Sequence, residues 1–62
     1  MVWKTYRKTA TVRAHVLTER IEIATREGIM VGNPGDYVCE GIEGEHWPVK
    51  KEIFERTYEL VE

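Results

Sequence analysis

The side chains able to do chemistry in this sequence are few: Cys39, His15, His46, Asp36, Tyr37 and scattered glutamates. Cys39 and His46 lie seven positions apart across Gly41-Ile42-Glu43-Gly44, whose terminal glycines can take the positive φ of a tight hairpin. If that hairpin pairs Gly41 with Gly44, Glu40 faces Glu45 and Cys39 faces His46, the relation that a thiolate nucleophile and its base require. Two features weigh against catalysis. A thiol enclosed between Tyr37 and Gly41 behaves as a small hydrophobe, and a chain of 62 residues has little room for a substrate cleft. Metal binding is not expected either, because the two histidines and one cysteine form no HxH or CxxC spacing. The reading is a protein that is not an enzyme, with no catalytic residue, cofactor or metal ligand.

The elements that would position any surface must be built by a small core. A chain this short is one domain and buries only about 60% of the surface its unfolded form exposes. Its 42% hydrophobic and 32% charged residues place it among folded rather than disordered chains. A single cysteine excludes an intramolecular disulfide, so the core or an oligomer must hold the fold. No apolar run approaches the roughly 20 residues of a membrane span, and the opening MVWKTYRKTATV lacks the apolar stretch of a signal peptide. A cytoplasmic home and no membrane partner are expected.

Period-two alternation dominates the chain. Ala10, Val12, Ala14 and Val16 alternate with Thr11, Arg13, His15 and Leu17, the pattern of a half-buried strand. Ile21, Ile23 and Thr25 alternate with Arg20, Glu22, Ala24 and Arg26 to make a second, and Ile29-Met30-Val31 a short third. Tyr37-Val38-Cys39 resumes the pattern, and Glu45 to Val49 follows as a strand that Pro48 confines to an edge or a strand end. The period then changes: Val49, Ile53 and Phe54 fall on one side of a short helix, with Ile53 and Phe54 expected to plug the core. Glu52 and Arg56 stand in the favourable i, i+4 order. Tyr58, Leu60 and Val61 are read as a closing strand. The fold class is mainly β: a small antiparallel, SH3-like barrel or rolled sheet of five to six short strands, with a C-terminal helical turn. Residues 1–8 form an N-terminal arm or edge strand, and 9–62 the single domain.

Asn33-Pro34-Gly35-Asp36 is the strongest local signal. Pro34 pre-sets φ for the second position of a type II turn, and Gly35 supplies the positive φ needed at the third. Asn33 and Asp36 can hydrogen-bond to the backbone across the turn. Tyr37 and Cys39 are thereby aimed at the core, and Trp47 is expected there too, since so small a domain needs its aromatics inside.

PGDYV, then GEHWPV, then IFERTYE form an ordered set, within a match that covers roughly residues 18 to 60. This set resembles small phage and prophage proteins in which a PGD(W/Y) turn is followed by GE(aromatic)P and by an IFE.TYE tail. The resemblance implies a bacterial or phage setting and carries over no activity, cofactor or catalytic residue. MVWKTYRK lies outside it.

The remaining function classes concern binding. Residues 1–26 carry six basic groups against two acidic ones, and residues 27–62 three basic against nine acidic. That asymmetry either marks a basic arm for an acidic partner or reflects halves whose charges pair across strands. Trp3, Lys4, Tyr6, Arg7, Lys8 and Arg13 form the candidate partner surface. An aromatic arm can add as a strand to a protein partner or to a second copy, a homodimer that would compensate for the small core. The alternative is nucleic acid, with rings to stack on bases and cations to meet phosphates. A sequence pI near 5.7 argues against a dedicated nucleic-acid domain. The favoured reading is a non-catalytic protein-binding module.

Overall fold

A computed structural model describes residues 1–61, and in it the chain forms five strands and one helix. These are β1 (Arg13–Val16), β2 (Ile21–Thr25), β3 (Gly28–Gly32), β4 (Tyr37–Glu40), β5 (His46–Val49) and α1 (Lys51–Thr57). The fold is mainly β, and every strand pair is antiparallel. One sheet has the order β1-β4-β5 and the other is the β2-β3 hairpin.

The two ladders share no strand, so the sheets are not closed into a barrel. Closure would require a hydrogen-bonded partner on the outer edge of β1 or β5. Pro48 removes a donor from β5, as the expected edge placement of this proline implies. The hairpin β2-β3 instead packs against β5 without joining its ladder. Residues 1–8, expected as an arm or an edge strand, have no regular structure, and the closing strand expected at Tyr58, Leu60 and Val61 does not form. The first strand starts at Arg13 rather than Thr9, after a bend at Ala10.

The core lies between the sheets. Leu17, Ile23 and Val38 are buried together, with Ile21 packed against them. Leu17 was assigned by alternation to the polar face of the first strand. It keeps the face of His15, and that face meets the core through Val38, the cross-strand partner of His15, so at this end the face read as polar is the buried one. Gly32 completes the contact by having no side chain: a Cβ there would stand 3.5 Å from the Pro48 Cβ and overlap the Leu17 side chain.

The Asn33-Pro34-Gly35-Asp36 turn forms as its residues dictate. Asp36 N donates to Asn33 O at 3.0 Å, and Gly35 has φ of 92°. Two further bonds clamp the turn to the core residue: Leu17 N donates to Asp36 O at 2.8 Å and Gly35 N to Leu17 O at 2.9 Å. The turn therefore fixes where β4 begins relative to the end of β1.

Charge pairing joins the basic first half to the acidic second half. Arg13 and Glu40 are cross-strand partners with Nε and Oε1 3.3 Å apart, and Arg26 reaches Glu43 at 2.7 Å. Exposed pairs of this kind contribute a few tenths of a kcal/mol, about 0.2 to 1 each. Among the described residues no helix is long and apolar enough to cross a membrane.

Candidate functional site: an aromatic groove

Helical spacing places Phe54 and Tyr58 on one face, four residues apart, with Tyr58 N donating to Phe54 O at 3.0 Å. That face lies over the β1-β4-β5 sheet where Tyr37 projects. The three rings form a continuous stack: Tyr37 to Phe54 at 4.0 Å between centroids and 13° between planes, and Phe54 to Tyr58 at 4.7 Å and 16°. The Tyr37 hydroxyl donates to Glu55 Oε2 at 3.4 Å, and Lys8 Nζ stands 5.8 Å from the centroid of the Tyr58 ring. A cation over an aromatic face is attracted by the ring quadrupole. The basic segment is thereby drawn to the outer end of the stack.

Asp36 sets the position of the helix. Its Oδ2 accepts from Asn33 N at 3.2 Å and its Oδ1 from Lys51 N at 3.3 Å, so one carboxylate closes the turn and satisfies an N–H in the first turn of α1. Lys50, at the N-cap, makes no side-chain cap of its own. The bond within the turn is the one its local sequence implies; the bond to Lys51 N joins the turn to a helix that starts fifteen residues later. Ile53, expected to enter the core with Phe54, is 47% exposed because it points off the stacked face.

Between the Lys8–Ala14 segment, the helix and the tail lies a groove of about 800 Å³. Val12, Ala14, Tyr37, Phe54 and Leu60 give it apolar walls, and its charged lining is mixed, with Glu55 and Glu59 beside Lys8 and Arg13. Of the six candidate binding residues, only these last two line it. Trp3 and Tyr6 are 87% and 85% exposed along the arm with Lys4 and Arg7. The single basic, aromatic surface expected from the sequence is thus divided, and Arg13 is already engaged by Glu40. What the sequence reading missed is the groove's aromatic wall. Its signal was the i, i+4 spacing of Phe54 and Tyr58, which was assigned to the core and to a strand.

The expected cysteine–histidine pair does not form. Gly41 N donates to Glu45 O and Gly44 N to Gly41 O, which leaves a three-residue loop ending at Gly44 with φ of 81°. Pairing shifts by one residue, so Glu40 faces His46 and Cys39 faces Trp47. In a strand a one-residue shift moves a side chain to the opposite face. His46 Nε2 accordingly lies 3.2 Å from Glu40 Oε2, while Trp47, expected inside, is half-buried.

Cys39 itself is fully enclosed, and burial pushes its thiol above the ordinary value of 9.0, with Lys8 opposing. A raised folded-state value means the native chain holds its proton where the unfolded chain has lost it. That contribution is neutral below about pH 9 and destabilises as pH rises through the alkaline range. We expect thermal melts to fall between neutral pH and pH ~10, and a Cys39→Ala variant to show a shallower decline. The folded thiol should resist a disulfide reagent that labels it at once in urea.

Among the described residues no three His, Cys, Asp or Glu side chains converge as metal ligands. No family model matches the chain, and neither a curated relative nor a similar solved structure was found for it.

Proposed function

We propose that the protein is a small non-catalytic module that binds a segment of another protein in the aromatic groove. The observation that carries this reading is the groove of about 800 Å³, which has apolar walls and a rim of mixed charge. A groove of this size matches the usual range for ligand sites, roughly 300 to 1,000 Å³. The rings of the wall are held rigidly by one another, so little conformational freedom is lost when a ligand covers them. Cys39 is enclosed and turned from His46, which supports binding rather than nucleophilic chemistry. The architecture we propose for the module is an SH3-like roll, supported by a three-stranded sheet with a hairpin packed on its β5 edge. The phage or prophage setting and the cytoplasmic location are proposed with it, on the resemblance of PGDYV, GEHWPV and IFERTYE.

Selection from a displayed peptide library tests the reading. Peptides should be enriched on the parent protein and lose affinity by roughly tenfold or more when Leu60→Arg closes the groove, with circular dichroism unchanged. Enriched peptides that bind both proteins equally, or no enrichment at all, would overturn it. A second reading rests on the arm: Trp3 and Tyr6 stand exposed beside Lys4 and Arg7, as for stacking on single-stranded nucleic acid. It requires oligonucleotide binding that weakens steeply with salt and is lost in Trp3→Ala.

A further inference from the structure

Strand edges offer free N–H and C=O groups to any chain that can pair with them, and proteins commonly guard them with charge, proline or bulges. Four of the five strands carry such a residue: Arg13 in β1, Glu22 in β2, Glu40 in β4 and Pro48 in β5. β3, Gly28-Ile29-Met30-Val31-Gly32, carries none. Among the described residues it pairs only with β2, so its other edge has no ladder partner. Ile29 and Val31 share the face of the hairpin turned from the core, 67% and 42% exposed, and Met30 also reaches solvent.

We infer that β3 pairs antiparallel with β3 of a second copy of this chain, joining two β2-β3 hairpins into one four-stranded sheet. The occupant is argued from self-complementarity. About a twofold axis at Met30, Ile29 faces the second copy's Val31 and Gly28 faces its Gly32, so large apolar residues meet and no charge is buried. The exposure of the strand agrees: Ile29, Met30 and Val31 are apolar yet 67%, 40% and 42% exposed, so pairing would take from water side chains that a single copy leaves in it. Pairing at β3 leaves the aromatic groove, which is built on the other sheet, accessible in both copies, and it does not rest on the groove's ligand.

Sedimentation between about 1 and 100 µM should show the parent as a dimer, and Ile29→Lys and Val31→Lys should each weaken association by roughly tenfold or more. Both positions are exposed, so circular dichroism should confirm that the variants remain folded. Met30→Cys should form an intermolecular disulfide on oxidation, since cross-strand neighbours lie within the roughly 4.4 to 6.8 Å between Cα atoms that a disulfide spans. Ile42→Cys, at the exposed tip of another hairpin, should not. Trp3→Ala with Tyr6→Ala should leave the dimer intact. A parent that is monomeric at about 100 µM would overturn the inference. So would a dimer that survives both lysine variants, one that the arm substitutions dissociate, or cross-linking of Met30→Cys no greater than that of Ile42→Cys.

Discussion

Leu17→Ala should leave the chain largely unfolded at room temperature. Leu17 is 5% exposed and is the side chain around which Ile23, Val38 and Ile21 pack. Removing a buried leucine to alanine costs about 2 to 5 kcal/mol, the transfer term plus the cavity left behind. Domains of this size have roughly 3 to 5 kcal/mol in total. The loss is thus comparable with the whole stability. The main-chain bonds to Asp36 and Gly35 survive the substitution, so the deficit is one of packing alone. Leu17→Met, which conserves volume, should cost less than about 1.5 kcal/mol. Urea titration followed by circular dichroism checks both. If Leu17→Ala unfolded at nearly the parent's midpoint, the core would have to lie elsewhere.

Phe54→Ala should have the next largest effect, and through a different mechanism. The ring is half-buried rather than enclosed, so its area burial is less than that of a core phenylalanine. It is, however, the middle member of the three-ring stack, and its removal deletes both stacking contacts at once. Each aromatic pair contributes about 0.5 to 1.5 kcal/mol beyond area burial. With the lost burial, a cost near the lower end of the range for phenylalanine to alanine, about 3 kcal/mol, is expected. At roughly 4 to 8 °C per kcal/mol for a domain this small, the melting temperature should fall by about 12 to 24 °C. Phe54→Leu should recover part of the burial but not the stacking. If Phe54→Ala melted like the parent, the stack would contribute nothing to the fold. The same variant should also erase the groove's wall, so binding must be measured on Leu60→Arg.

The two positions differ in how far they could be read in advance. Phe54 was legible as apolar, and its helix was legible from the change of period after Val49. Its neighbour Ile53 has the same local credentials and points to solvent. The difference is set by where the helix sits, and that depends on the Asp36 carboxylate bonding to Lys51 N across fifteen residues. Leu17 lies on the face that alternation gives it, but Arg13 and His15 made that face read as polar, whereas its partner strand places Val38 there in the core and leaves Val16 on the other face 49% exposed. The Cys39–His46 pair failed because one additional loop residue changed which side chains share a face.

What the sequence determined alone is what local backbone preference encodes. Pro34 and Gly35 specify their turn wherever the rest of the chain goes, and Gly44 permits the second. Pro48 is confined to an edge because it lacks a donor, and alternating Ile21 and Ile23 make a strand with one apolar face. Tertiary structure decided the register of β4 on β5, the inward turn of Leu17, the stacking of Tyr37 with Phe54 and Tyr58, and the separation of the sheets. Each of these joins residues distant along the chain or depends on one-residue offsets within a loop. Such contacts are selected by the total free energy of packing, in which near-equivalent local patterns compete and only the assembled chain distinguishes them.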